Sequence, residues 1–219
     1  MARQMRVWIV CLCALLASCQ PGLQSSPDLD YSTTLERAER LLEQENFEDA
    51  TDLLSALVHQ FPQKPTPWIL LGGALDLQND PEKALEVYQL GLSTLAKKDS
   101  ANAELALQAS LLCVNRQSLS CDPVQPLSHL PANDPRREVV AAATDAVQGN
   151  DVAALRRLIQ LLEQKLPKSL AGEVYFLAAR VYKHMNEPMY VNESLFHAVN
   201  FARNPVLVLR IEQLWKPSN

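Results

Sequence analysis

The chain has 219 residues and a formal net charge of −5, from 20 basic and 25 acidic side chains. That balance, without a basic cluster, argues against nucleic-acid binding and against electrostatic docking on anionic lipid. Only six glycines, with abundant Ala, Leu, Glu and Gln, make the composition helical.

Arg3 and Arg6 precede the apolar run VWIVCLCALLA, and Leu16-Ala17-Ser18-Cys19 closes it. A basic start, an apolar middle and small residues at the end have the layout of a secretory signal. As a helix the run would reach about 16 Å, short of the roughly 30 Å hydrocarbon core. The ending resembles the lipobox of bacterial lipoproteins, in which the cysteine is acylated and becomes the mature N-terminus. The resemblance implies that residues 1–18 are a removable signal peptide and that Cys19 carries the lipid. It also implies permanent attachment, because several chains bury many CH₂ groups at about 0.8 kcal/mol each. In enterobacterial lipoproteins an aspartate after the cysteine favours the inner membrane, so Gln20 implies the periplasmic side of the outer membrane. An ordinary cleaved signal or a buried apolar N-terminus is the alternative. Residues 19–30, rich in Pro, Ser, Gly and Asp, read as a tether. Loss of Arg3 and Arg6 with the signal leaves 18 basic against 25 acidic residues, a net −7.

Cys11 and Cys13 leave with the signal, so Cys113 and Cys121 alone stay in the folded part. In an oxidising periplasm such a pair is expected to form a disulfide. On one straight helix the two would sit about 12 Å apart, and a disulfide needs Cα atoms within about 7 Å, so the chain must turn between them. Ser118, Ser120 and Pro123 fit a helix ending there. Two free buried thiols are the alternative. A zinc site is disfavoured, because two cysteines without a paired His cluster supply too few ligands.

Residues 31–116 carry a 34-residue period. Ala50 and Ala84 lie one period apart, as do Asn46 and Asp80, which open tight turns. LLEQENFEDATDLL and LDLQNDPEKALEVY each read as helix, turn, helix. The first helix begins near Ser32, with Thr33 and Glu36 spaced as a capping box, and the turn falls at Glu45-Asn46. The second helix ends at Phe61-Pro62. Trp68, Leu71, Gly72, Leu75, Ala84, Tyr88 and Gly91 match the spacing of the tetratricopeptide (TPR) repeat. The resemblance implies that Gly72 and Ala84 sit where two helices cross closely. Ala96 stands where that motif usually has proline. The first unit has its proline, Pro62, but Thr34 and Ala38 in place of tryptophan and glycine. A third unit is half visible: Ala101–Arg116 reads as a helix without a partner.

Residues 117–134 hold three prolines after Cys121, with a fourth next at Pro135, and read as a loop crossing between two subdomains. Residues 135–219 resume the pattern more loosely. Arg136–Gln148 and Asp151–Leu166 pair around Gly149-Asn150, with Asp151 as N-cap. Ser169–Met185 pairs with Met189–Ala202, and Pro205–Leu214 is a last helix that caps the stack. The expected fold is all-α: a right-handed superhelical stack of antiparallel helical hairpins with a capping C-terminal helix.

No nucleotide loop, HExxH or nucleophile elbow is present, so neither a cofactor, a metal site nor an enzymatic activity is expected. His59, His129, His184 and His197 are scattered, and the acids of the first hairpin read as a solvated face. In TPR proteins the first helix of each hairpin lines the concave side. Carried over, the lining would be Leu35, Glu39, Leu42 and Glu43, then Ile69, Gly73, Asp76 and Leu77, then Leu107 and Leu111. Such a groove would hold an amphipathic or extended segment with apolar anchors and some basic residues; the alternative is that Leu35, Leu42 and Ile69 are core. A lipid anchor with TPR hairpins resembles the pilotin lipoproteins of type IV pilus and related secretion systems. That implies a scaffold assisting assembly or localisation of an envelope machine, with a secretin or pilus component as partner. TPR lipoproteins that recruit cell-wall enzymes are the second resemblance.

Overall fold

The computed structural model describes residues 30–95 and 100–216. The signal, Cys19, the tether as far as residue 29, and Ala96 lie outside the described residues. Ten α-helices follow in order: α1 Tyr31–Glu43, α2 Phe47–Gln60, α3 Pro65–Leu77, α4 Pro81–Thr94, α5 Ser100–Asn115, α6 Pro135–Val147, α7 Asp151–Leu162, α8 Lys168–His184, α9 Pro188–Phe201 and α10 Pro205–Trp215. Among the described residues there is no strand. None of these helices is long and apolar enough to cross a membrane.

Four hairpins, α1–α2, α3–α4, α6–α7 and α8–α9, turn by one device. Glu45, Asn79, Gly149 and Asn186 each adopt positive φ, between 57° and 80°. The next residue sends its N–H back five positions: Asn46 to Leu41, Asp80 to Leu75, Asn150 to Asp145 and Glu187 to Tyr182. This left-handed closure satisfies carbonyls that a helix end leaves open, and Gly149 adopts it without a Cβ penalty. The following residue begins a new helix at once. Asn46 and Asp80 accept from the N–H of Asp49 and Lys83, respectively. Pro81 and Pro188 stand first in their helices, where a missing N–H is no loss.

Two local expectations are corrected. Helix α1 is capped by Asp30, whose carboxylate accepts from Thr33 N–H at 2.9 Å, rather than by a Thr33/Glu36 box. The charged acceptor at Asp30 starts the helix at Tyr31. Asp151 is the first helical residue of α7, and Asn150 occupies the cap position without a side-chain bond.

Consecutive helices pack side by side along the chain. Ala38, Leu54, Leu71, Ala84 and Tyr88 belong to one apolar core, and Val140, Ala154, Leu158, Val174 and Leu177 to a second. Helix α5 feeds both: Leu105, Ala109 and Leu112 face the first, and Ala106, Leu107, Leu111 and Val114 the second. Where its hairpin partner would be, residues 117–134 form a tethered loop containing the 3₁₀ turn Gln125–Leu127. Leu127 is buried in the second core. The Arg137 guanidinium donates to the carbonyls of Leu127, Leu130 and Pro131. Cys113 and Cys121 are bonded, with Cα atoms 5.8 Å apart.

Close approach in the second hairpin runs through Gly72. A Cβ there would lie 2.2 Å from the Tyr88 ring. Ala84 is fully buried one turn earlier on α4, but the group that crowds Gly72 is the tyrosine.

Candidate protein-binding site

The last helix decides which surface is open. After α9 the chain turns at Ala202-Arg203-Asn204, and α10 folds back against α1, α3 and α8 as well as α9. Its stripe alternates in purpose. Val206 and Leu209 join the first core, while Leu207 and Ile211 join a third with Phe176, Ala179, Leu195 and Ala198. Gly73 is the seat for Val206: a Cβ on Gly73 would meet Val206 Cγ1 at 2.6 Å.

The lining expected from the sequence is therefore corrected. Leu42 and Leu107 are fully buried, Leu111 is 3% exposed, and Gly73 lies beneath Val206. Leu35, Ile69 and Leu77 are half-buried and packed against the first core. Asp76 is engaged by two arginines. Glu39 is half-buried, and burial first, then Glu43 and Glu36, raise its pKa above the usual carboxylate range. Of these residues only Glu43 is exposed. Helix α3 is apolar and α5 is buried on nearly every face, so spacing alone could not separate a packing face from a lining face. The chain's own amphipathic helix, with one basic residue, covers the expected groove.

A cleft of about 380 Å³ stays open, bounded by α3, α5, α8 and α10. Helical spacing builds its walls. Glu173, Phe176, Leu177 and Arg180 share one face of α8; Leu111 and Asn115 share one face of α5; Arg210, Gln213 and Leu214 share one face of α10. Asp76 sits at the centre of its ion pairs. Its Oδ1 accepts from Arg116 Nε at 3.0 Å and its Oδ2 from Arg210 Nη2 at 3.2 Å. Arg116 also donates to the Asp76 carbonyl and to Asn79 Oδ1. Gln108 links the pieces, donating to Glu173 Oε1 at 2.8 Å and accepting from Arg210 Nη1 at 3.3 Å.

Two of these arginines differ in environment. Burial opposes the Arg210 charge, but Tyr88, Glu173 and Asp76 around it more than offset that, and its pKa lies above the usual arginine value. Burial and then the like charge of Arg210 push the Arg180 pKa down, against a weaker pull from Glu173.

The sequence reading found Asp76 and missed Arg116, Arg180, Arg210, Gln108 and Glu173. One signal was available. Arg210 is the lone cation in VLVLRIEQL, a stretch whose other core-facing residues are apolar. A charge in such a stripe needs a buried partner.

Residues 41–111 match the tetratricopeptide repeat family. Among solved structures, a tetratricopeptide repeat protein from Parabacteroides merdae ATCC 43184 is 14% identical with a TM-score of 0.52, over 88% of this chain and 75% of that one. YrrB, described as a TPR protein with an unusual peptide-binding site, is 17% identical with a TM-score of 0.42, over 84% of this chain and 92% of that one. The APC/C hetero-tetramer Cut9-Hcn1 gives 13% identity and a TM-score of 0.47, over 85% of this chain and 36% of that one. No curated protein matches the chain. Residues 41–111 are thus a tetratricopeptide repeat segment, and the described chain as a whole has the fold of a TPR-like helical solenoid.

Proposed function

We propose that this protein is a lipid-anchored, non-catalytic scaffold on the periplasmic side of the bacterial outer membrane. It docks a segment of a partner protein and thereby assists assembly or localisation of a secretion or pilus machine. The observation that carries this reading is the combination of stacked helical hairpins with LASC at the end of an apolar leader. Stacked hairpins present extended surfaces suited to polypeptide ligands. Acylation would hold that surface at a membrane. With α10 seated on the first two hairpins, the partner meets the remaining cleft between α5, α8 and α10.

The test has two arms in one strain. Cys19→Ala should move the protein from the outer-membrane fraction to the soluble periplasm or the inner membrane. A photo-crosslinking residue at Gln213, on the cleft's exposed rim, should capture a secretin or pilus component, identified by mass spectrometry. Capture of a murein synthase or hydrolase would replace this reading with that of a cell-wall adaptor. An unchanged location for Cys19→Ala, or no light-dependent adduct, would overturn the proposal.

A further inference from the structure

The cleft between α5, α8 and α10 holds more positive charge than its own acids answer. Arg116, Arg180 and Arg210 line it with Asp76 and Glu173, in a chain whose net charge is −5. Asp76 is held by Arg116 and Arg210, one oxygen each. Glu173 accepts from Gln108. Arg180 is left with one hydrogen bond among the described residues, from Nη1 to Asn115 Oδ1 at 2.7 Å. Among the described residues no carboxylate forms an ion pair with it. An arginine does not shed its proton to escape burial. A half-buried guanidinium with a neutral hydrogen-bond partner, a like charge nearby and only the weaker pull of Glu173 in its favour is stabilised by an added anion. Its planar fork offers two parallel donors, which suits a carboxylate. Leu111, Phe176, Leu177 and Leu214 supply an apolar wall beside it. The volume, about 380 Å³, lies at the small end of ligand pockets.

We propose that this cleft binds a carboxylate borne on an apolar residue of a partner segment, with Arg180 as its anchoring donor. This deepens the docking reading above and rests on it. An acidic side chain flanked by leucine and a free peptide C-terminus share that chemistry. The probes separate them.

The experiment is calorimetric titration of the full-length chain in detergent with three peptides: acetyl-Leu-Asp-Leu-amide, acetyl-Leu-Asn-Leu-amide and acetyl-Leu-Asn-Leu with a free C-terminus. At least one carboxylate peptide should bind about tenfold or more tightly than the Asn amide. Whichever carboxylate peptide binds names the source. Arg180→Gln should weaken that peptide about tenfold while the melting temperature holds, and Arg180→Lys should restore part of the loss. Gln213→Glu, on an exposed rim position, guards against a folding artefact. It should weaken the carboxylate peptides and leave the Asn amide unchanged. Equal binding of all three peptides, no binding of either carboxylate, or an Arg180→Gln affinity equal to that of the parent would overturn the proposal. Loss of carboxylate preference with the Gln213 adduct retained would refute the cleft alone. Loss of the adduct with carboxylate preference retained would refute the scaffold role alone.

Discussion

At the scale of single residues, the centre of the molecule is polar, which is unusual for stacked hairpins held by apolar stripes. Buried charges persist only when paired or hydrogen-bonded: Asp76 pairs with Arg210, Gln108 accepts from Arg210, and the Glu173 carboxylate accepts from Gln108. Glu104, one turn before Gln108 on α5, does not meet that condition fully. Burial pushes its pKa up to about 7 and Glu173 adds to this, while Arg136 and a bond to Gln108 act the other way. The folded pKa lies above the unfolded value, so between about 4.5 and about 7 the native state holds a proton that the unfolded chain has released. Stability from this group is therefore fully present below that window, falls as pH rises through it, and levels off above it. Over the whole window the loss amounts to about 3 kcal/mol. Glu104→Gln cannot ionise and should remove this slope. Urea midpoints from pH 4 to 8 for parent and variant check it: the two curves should diverge as pH rises, the variant being the more stable near neutrality. Parallel curves would mean that Glu104 is solvated.

At the scale of elements, the hairpin turns were legible because local backbone chemistry writes them. A left-handed residue followed by a cap residue recurs at Glu45-Asn46 and Asn79-Asp80, one 34-residue period apart, and again at Gly149-Asn150. Which faces stay open was not legible. Helix α3 reads PTPWILLGGALDL, apolar at almost every position, and the seat for Val206 at Gly73 becomes visible only when residues 133 positions apart meet. The same holds for Arg116 and Arg210, whose shared partner Asp76 lies 40 and 134 positions away on α3. Helix α5 lacks a hairpin partner, and the loop after it takes that place with one turn and one crosslink. Closing a short loop between Cys113 and Cys121 restricts the unfolded chain and stabilises the fold by about 2–3 kcal/mol in the chain-entropy model. Cys113→Ser with Cys121→Ser should lower the unfolding free energy by that amount. Hydrogen exchange should rise in residues 117–134 before it rises in α6. If exchange in the loop and in α6 rises together, the crosslink supports the entire second half rather than its own segment.

At the scale of the whole molecule, α10 changes the thermodynamic character of the stack. In an open solenoid each repeat touches only its neighbours, so the ends can unfold independently of one another. Here α10 joins the last hairpin to the first two. Val206 and Leu209 enter the first core, Leu207 and Ile211 enter the third, Arg210 pairs with Asp76, and Lys216 reaches Glu45 at 3.5 Å. Each fully buried aliphatic side chain contributes about 1.5–3 kcal/mol, so the four together exceed what one exposed ion pair could add. Much of that burial spans sequence-distant hairpins. The closed stack should therefore unfold as one unit, and a chain ending at Asn204 should not. Hydrogen exchange read at α1 and at α7 across a urea series distinguishes the two. In the full chain both helices should lose protection at one midpoint. Without α10 the first hairpins should open at lower urea than α6–α7, because Gly73 and Asp76 lose their cover while the second core keeps its own. Val206→Asp in the full chain should reproduce the split with the backbone of α10 intact, since it places an unpaired carboxylate against Gly73. Coincident midpoints in both altered chains would show that α5, which feeds both cores, couples the halves without help from α10.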